Sequence, residues 1–493
     1  MSLSIYQTKQ IRELEKNAGE RFNISADVMM QRAGKSACDY LMRLWPNTRS
    51  VGVVAGSGNN GGDGYVLALS ALKRGLQVHV WQVGKNEKLT GAALHAFESC
   101  RQAGVPIHAF NQQTQFDGVD VLIDAMLGIG LQGDVRPEMH DAINAINQAN
   151  LPVLAMDIPS GIEADTGKVK GAVVDASATI TFIGLKLGLL TGQGVSYVGE
   201  LHCDTLHLPE ELYQTVQPIA ESIFAKQFST YLAPRPKHWH KGHGGHVLLI
   251  GGDQGYSGAI RLAAESALRV GAGLVSVATR QENAVLLNAI RPEIMSHGVE
   301  SVAQLMPLLE KATVIVIGPG LGLSVWGKNL FDTVIKSEKP LIIDADGLNQ
   351  LAETSLKKNH WILTPHPGEA ARLLKTTSDI IQQNRLAAIL NLQKTWGGVC
   401  VLKGAGSLIA GGEGLPALCE AGNPGMGTAG MGDILTGVIA GLVAQGISLT
   451  IAAKLGVCLH AEAGDLAAGQ EERGLIASDL LLALRVLVNP DEN

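Results

Sequence analysis

Short apolar runs alternate with amphipathic, helix-spaced stretches along nearly the whole chain, the βαβ rhythm of parallel sheets. In the first half, Val51–Ala55, Gln77–Trp81, Val119–Ala125, Pro152–Asp157 and Ala178–Phe182 read as strands. The rhythm breaks between about Leu206 and Lys237. Pro209, Pro218, Pro234 and Pro236 fall there, and prolines at this density disfavour a continuous helix or central strand. It restarts at His246–Ile250 and continues through Leu274–Thr279, Val314–Ile317, Leu341–Asp344, Trp361–Thr364 and Val399–Leu402. Two doubly wound α/β domains are predicted, residues 1–218 and 230–493, with the boundary near 215–235. A helix-like stretch, Thr8–Ala18, precedes the first strand; packing on the first sheet and packing against another subunit both stay open.

A length of 493 residues exceeds one ordinary core. With 59 glycines and 4% aromatics, the chain suits an α/β fold with many tight turns. The net charge of −7, without a long basic run, argues against nucleic-acid or membrane-surface partners. Cys38, Cys100, Cys203, Cys400, Cys419 and Cys458 form no CxxC pair and read as reduced core residues of a cytoplasmic protein. Met1–Glu20 lacks the apolar centre of a signal peptide. The longest apolar candidate, Ile434–Val443, is glycine-broken and far short of the ~20 residues a membrane helix needs. These features lead us to expect a cytoplasmic protein acting on small molecules; a homo-oligomer is expected, though the sequence leaves the oligomeric state open.

The strand Val51–Ala55 runs into Gly56-Ser57-Gly58-Asn59-Asn60-Gly61-Gly62-Asp63-Gly64, then a helical stretch from Tyr65 to Arg74. Gly56, Gly58 and Gly61 have GxGxxG spacing, which brings bare N–H groups to a phosphate at a helix N-terminus. The next strand ends Val80-Trp81-Gln82 with no acidic residue to hold a ribose, so an ordinary dehydrogenase is disfavoured. Asp63 opposes phosphate unless it faces elsewhere. Asn60, Asp124 and Ser160 fall at strand ends that share one edge, and their hard oxygens suit an alkali or alkaline-earth ion. Ser160 alone reads equally well as a turn residue. Asp157 is the candidate acid–base group; Lys186 either assists it or is a surface or phosphate contact.

The loop GSGNNGGDG, Asp124-Ala125-Met126-Leu127-Gly128-Ile129-Gly130, Asp157-Ile158-Pro159-Ser160-Gly161 and Met30-Gln31-Arg32-Ala33-Gly34 resemble the NAD(P)HX epimerase family, over roughly residues 1–215. That resemblance implies a Rossmann-like three-layer domain that interconverts the R and S hydrates of NADH and NADPH. It implies substrate contacts at Asn59, Asn60, Gly61, Gly62 and Asp63, at Gly128, Ile129, Gly130, Leu131, Gln132, Gly133 and Asp134, and at Asp157. It also implies potassium at Asn60, Asp124 and Ser160. Gln31 departs from the family pattern, in which an acidic residue is common, and lies away from the chemistry.

In the second half, Gly422-Asn423-Pro424-Gly425-Met426-Gly427-Thr428-Ala429-Gly430-Met431-Gly432-Asp433 leads into the apolar helix Ile434–Val443. Amides from Ala429 to Gly432 would form an anion hole, with Asp433 as base or, more blandly, as a helix cap. This loop, with Leu402-Lys403-Gly404-Ala405-Gly406-Ser407 and Thr364-Pro365-His366-Pro367-Gly368-Glu369, resembles the ribokinase-like superfamily. His243-Gly244-Gly245, Ser257-Gly258-Ala259, Gly318-Pro319-Gly320-Leu321-Gly322 and Asp344-Ala345-Asp346-Gly347-Leu348-Asn349 point to its NAD(P)H-hydrate dehydratase branch, over about 235–490. The resemblance implies that the hydrate hydroxyl is phosphorylated and phosphate then eliminated. Ala259, Gly322, His366 and Asp433 would contact the hydrate, and Lys403, Gly404, Ala405, Gly406, Ser407 and Gly432 the nucleotide. ADP is expected as donor with magnesium on its phosphates and Glu369 nearby; His366 otherwise reads as a rigid turn residue.

The expected whole is thus a bifunctional NAD(P)H-hydrate repair enzyme. One alternative is a small-molecule kinase for a vitamin-precursor alcohol with an accessory nucleotide-binding domain, which would accumulate a stable phosphorylated product. Another makes the first domain a cofactor-sensing module that binds nucleotide and leaves epimer ratios unchanged.

Overall fold

The structure, a computed structural model, describes residues 3–489 except 85, 132 and 413. The chain divides into two compact units, Leu3–Ala220 and a second beginning at Glu221.

In the first unit the strands are β1 (Leu3–Tyr6), β2 (Ser50–Ala55), β3 (Gln77–Gln82), β4 (Ile107–Ala109), β5 (Val121–Ala125), β6 (Val153–Met156), β7 (Ala178–Phe182), β8 (Leu185–Lys186) and β9 (Glu200–Asp204). Seven of these pair in the order β4-β3-β2-β5-β6-β7-β9, all parallel; β1 and β8 form a further parallel pair. The order reverses between β2 and β5, and a crevice opens at such a reversal because the connections leave in opposite directions. Val54 pairs with Asp124 and Ala55 with Ala125, so the glycine loop and Asp124 emerge side by side. The helix Thr8–Phe22 buries Ile11, Leu14 and Ala18 in this unit's core, which settles that packing in favour of its own domain.

The helix after β2 begins at Asn59, not Tyr65. Gly61, Gly62 and Gly64 are therefore helical residues, kept bare by close packing rather than by a loop conformation. A Cβ on Gly61 would stand 2.0 Å from the Gly56 carbonyl oxygen, and one on Gly62 2.6 Å from the Met30 methyl.

The second unit contains β10 (Ala220–Ile223), β11 (His246–Ile250), β12 (Leu274–Thr279), β13 (Met295–Gly298), β14 (Val314–Ile317), β15 (Leu341–Ile343), β16 (Trp361–Leu363), β17 (Val399–Leu402), β18 (Ser407–Ala410) and β19 (Ala417–Cys419). They run β13-β12-β11-β14-β15-β16-β17-β18-β19-β10. All pairs are parallel except β17 with β18 and β18 with β19. The order reverses between β11 and β14. Strand β10, inside the proline-broken segment, is only four residues long and carries no strand pattern of its own.

Several strands end one residue earlier than their apolar runs suggest. Asp157 takes φ +64 and cannot continue a strand, while Asp344 is the N-cap residue of helix Ala345–Leu351. The helix Met431–Ala444 is almost wholly buried. Its glycines are contact points: a Cβ on Gly437 would stand 1.9 Å from the Ala263 carbonyl of helix Ser257–Arg269. Five of the six cysteines are buried and all are free thiols. Among the described residues no helix is long and apolar enough to cross a membrane.

Candidate active sites

At the β2–β5 reversal lies a cavity of about 990 Å³. Ser57, Gly58, Asn59, Asn60 and Asp63 line it from the end of β2, Gly128 to Leu131 and Asp134 from the end of β5, and Asp157 from the end of β6. Of the expected substrate residues, Gly61 and Gly62 do not line it; they are spent on helix packing. Gly133 is exposed and outside the lining. Gln132 lies outside the described residues.

Behind the cavity wall Asp124 is fully buried. It accepts hydrogen bonds from Ser160 Oγ at 2.6 Å, the Ser160 amide at 2.7 Å and the Met126 amide at 3.2 Å. Burial nevertheless pushes its carboxyl up to about 6, against the pull of those bonds. Asn60 donates its Nδ2 to the Leu127 carbonyl at 3.1 Å, while its Oδ1 is buried without a partner. A buried amide oxygen left unpaired is costly. Asn60 and Ser160 both bond to Leu127, and Ser160 to Asp124, so this corner offers amide, hydroxyl and carboxylate oxygens of the kind that suit a hard cation.

Asp157 is held by Lys186, which is fully buried and so not a surface residue. Its Nζ donates to Asp157 Oδ1 at 2.5 Å, Thr181 Oγ1 at 2.8 Å and the Phe182 carbonyl at 2.8 Å. Asp63 does face the cavity; burial first, then Asp157 and Glu15, push its carboxyl well above the usual range. Sequence reading missed Glu15, which lines the same cavity from helix Thr8–Phe22.

In the second unit the strand-end residues also share one edge, and their centre is Asp344, beyond β15. Its side chain is 2% exposed. It accepts from Lys403 Nζ at 2.8 Å and from Thr436 Oγ1, on helix Met431–Ala444, at 2.8 Å. Lys403 Nζ also lies 3.8 Å from Glu369. Burial opposes the lysine's charge, but Asp344 and Glu369 outweigh it and hold Lys403 above its usual value. Gly432 stands beside this pair, since a Cβ there would be 3.1 Å from Lys403 Nζ. Asp433 follows on the first helical turn, where amides lack intrahelical acceptors. Burial and the Asp344 charge push Asp433 up to about 7, only partly offset by Lys403. That value suits a base working near neutrality.

Gly322, at φ +70, donates its amide to Asp346 Oδ2 at 2.9 Å. Ala259 approaches the same loop: a Cβ on Gly320 would stand 3.4 Å from its own. His366 caps helix Pro367–Leu373, its Nδ1 accepting the Gly368 amide at 2.9 Å while Glu369 accepts the His366 amide at 2.8 Å. Its imidazole is nonetheless half exposed toward the edge, and burial and Lys403 hold its pKa below the usual value. The 403–407 loop rests on Arg385, which sequence reading did not single out. Its Nη2 donates to the Leu402, Lys403 and Gly406 carbonyls, each at 3.3 Å. Ser407 Oγ donates to the Gly404 carbonyl at 3.0 Å. Among the described residues no three His, Cys, Asp or Glu side chains converge as a metal site.

Comparison with known proteins finds a family for each of the two units. A family model described as NAD(P)H-hydrate dehydratase matches residues 247–485, and one described as YjeF-related protein N-terminus matches residues 26–188. The bifunctional NAD(P)H-hydrate repair enzyme of Coxiella burnetii is 49% identical over 99% of this chain and 99% of its own. That of Escherichia coli K12 is 42% identical over 99% of this chain and 94% of its own. A solved ribokinase-like superfamily protein from Enterococcus faecalis V583 shares 33% identity at a TM-score of 0.50, covering 55% of this chain and 96% of that one. Similarity that runs unbroken through both units disfavours a kinase with an accessory domain. The chain belongs to the bifunctional NAD(P)H-hydrate repair enzymes, joining an epimerase to a dehydratase.

Proposed function

We propose that the two activities divide between the two units. The first interconverts R and S hydrates of NADH and NADPH in its cavity, with Asp157 as acid–base residue positioned by Lys186. Asn60, Asp124 and Ser160 would hold potassium, which supplies a fixed positive charge beside the substrate's phosphates. The unpartnered Asn60 Oδ1 supports that assignment.

The second unit dehydrates the S hydrate with ADP as phosphoryl donor. Asp433 takes the proton of the hydrate hydroxyl as its oxygen attacks the terminal phosphoryl group. The amides at the start of helix Met431–Ala444 bind the transferring phosphoryl group. Phosphate then leaves by elimination as the ring double bond re-forms. Lys403 to Ser407 and Gly432 would carry the nucleotide, with Ala259, Gly322 and His366 on the hydrate. Magnesium would be held by the nucleotide's phosphates, with Glu369 nearby. A cytoplasmic homo-oligomer is the setting we infer. The observation that carries this reading is a carboxyl raised to about 7 at a helix N-terminus beside a partly buried lysine.

The test is to incubate a mixture of hydrate epimers with the protein and follow both by chromatography alongside NADH absorbance. With ADP both epimers should be consumed and NADH should appear; without ADP the ratio should relax with no NADH formed. Accumulation of a stable phosphorylated product would instead support the kinase reading.

A further inference from the structure

Epimerisation at the hydroxylated ring carbon by loss and return of water takes oxygen from one face and restores it on the other. One carboxyl anchored on one side cannot serve both faces, so the geometry of the reaction asks for a second proton-transfer group across the cavity. Asp157 is committed on its side by Lys186, Thr181 and the Phe182 amide.

A candidate second carboxyl comes from helix Thr8–Phe22, which precedes the matched family region beginning at residue 26. Arg12, Glu15, Lys16 and Gly19 line the cavity. This i, i+3, i+4, i+7 spacing is a single helical face, while Leu14 and Ala18 on the other side are buried in the core. Glu15 is partly buried, and no hydrogen bond or ion pair among the described residues engages it. It is also electrically in view of the site. Burial and then Asp157 raise its pKa, with Lys186 and Arg12 opposing. Asp63, from helix Asn59–Lys73, in turn feels both Asp157 and Glu15.

We propose that Glu15 is a second acid–base residue of epimerisation, acting on the substrate from the face of the cavity opposite Asp157. The inference rests on the reading of this cavity as the hydrate site. One carboxyl gives its proton to the departing hydroxyl. The C–O bond breaks, the ring nitrogen's lone pair forms a C=N bond, and water is released. Water then adds to the other face, the C=N pair returns to nitrogen, and the second carboxylate takes the proton. The two carboxyls re-equilibrate with solvent through the cavity mouth, and no oxidant or reductant is consumed.

The decisive experiment uses the full-length protein and pure R hydrate, following conversion to S and uptake of labelled oxygen from labelled water. Glu15→Gln should lower kcat by roughly 10²- to 10⁴-fold with KM changed little, and slow oxygen uptake in step. Glu15→Asp should recover part of the rate. The same preparations should dehydrate pure S hydrate at the wild-type rate, and a thermal melt of each variant checks the first unit. If Glu15→Gln does not hold its fold, the kcat of Glu15→Asp decides. Glu15→Gln turning over at the wild-type kcat, or a loss confined to KM, would overturn the proposal while leaving the cavity reading intact. Wild-type protein that leaves the epimer ratio unchanged would sink the cavity reading itself, and this inference with it.

Discussion

Asp157 and Asp433 are the same side chain at the ligand-binding edges of two doubly wound sheets, yet their nearest cations are spent differently. Asp157 has Lys186 at 2.5 Å, fully buried beneath it. Asp433 has no lysine of its own, because Lys403 sits 2.8 Å from Asp344 and 3.8 Å from Glu369. Burial and the Asp344 charge therefore push Asp433 up to about 7. A dedicated lysine fixes the position of the Asp157 carboxylate, whereas Asp433, whose neighbours have taken the lysine, has its proton affinity raised toward neutrality. The contrast teaches that where the local cation is engaged sets the electrostatic setting of otherwise identical aspartates.

The largest test removes the loosely compensated member. Asp433→Asn should cut dehydration of S hydrate by roughly 10²- to 10⁴-fold while R-to-S conversion proceeds at the wild-type rate. Loss of both activities would break the picture of two separately wired sites. Asp157→Asn should give the mirror result, abolishing epimerisation while pure S hydrate is still dehydrated.

Lys186→Met sharpens the other half. It leaves Asp157 without its buried counter-charge, which typically costs about 3–5 kcal/mol. The first unit should melt at lower temperature, and epimerisation should fall even where the fold survives. A variant with unchanged melting and unchanged epimerisation would show that the pair does no positioning.

Much of this architecture is legible in the order of the residues. Strands such as β7, β11, β12, β14 and β17 fall where the apolar runs put them. Asn60, Asp124, Ser160 and Asp433 can be singled out because each lies near a strand end or a helix start marked by glycine-rich sequence. Their partners are hidden because register decides them. Lys186 reaches Asp157 only when β7 lies beside β6, and Asp344 meets Lys403 across 59 residues of sequence. Glu15 is obscured for another reason: on an amphipathic helix, a polar face looks the same whether it meets water or a cavity. Gly61 and Gly62 show the converse, since a bare Cα needed for packing carries the same letter as one needed for a phosphate.

The smallest expected effect tests the wiring of Asp433 most directly. Dehydration needs its carboxylate form, so the rate should rise with pH through an acid limb near the value of about 7. Asp344 raises that value and Lys403 lowers it, so substituting them should move the limb in opposite directions. In Asp344→Asn the raising charge is gone and Lys403 is released toward Asp433, shifting the limb to lower pH. In Lys403→Met the lowering charge is gone, shifting it to higher pH. Each displacement should be on the order of one pH unit, the size produced by a charge a few ångströms away in a partly buried site. The profile is measured as kcat/KM for the S hydrate at saturating ADP, so that weakened nucleotide binding in Lys403→Met does not enter. Limbs that shift in the same direction, or not at all, would mean that Asp433 is not the titrating base and that the cation's placement does not distinguish the two aspartates.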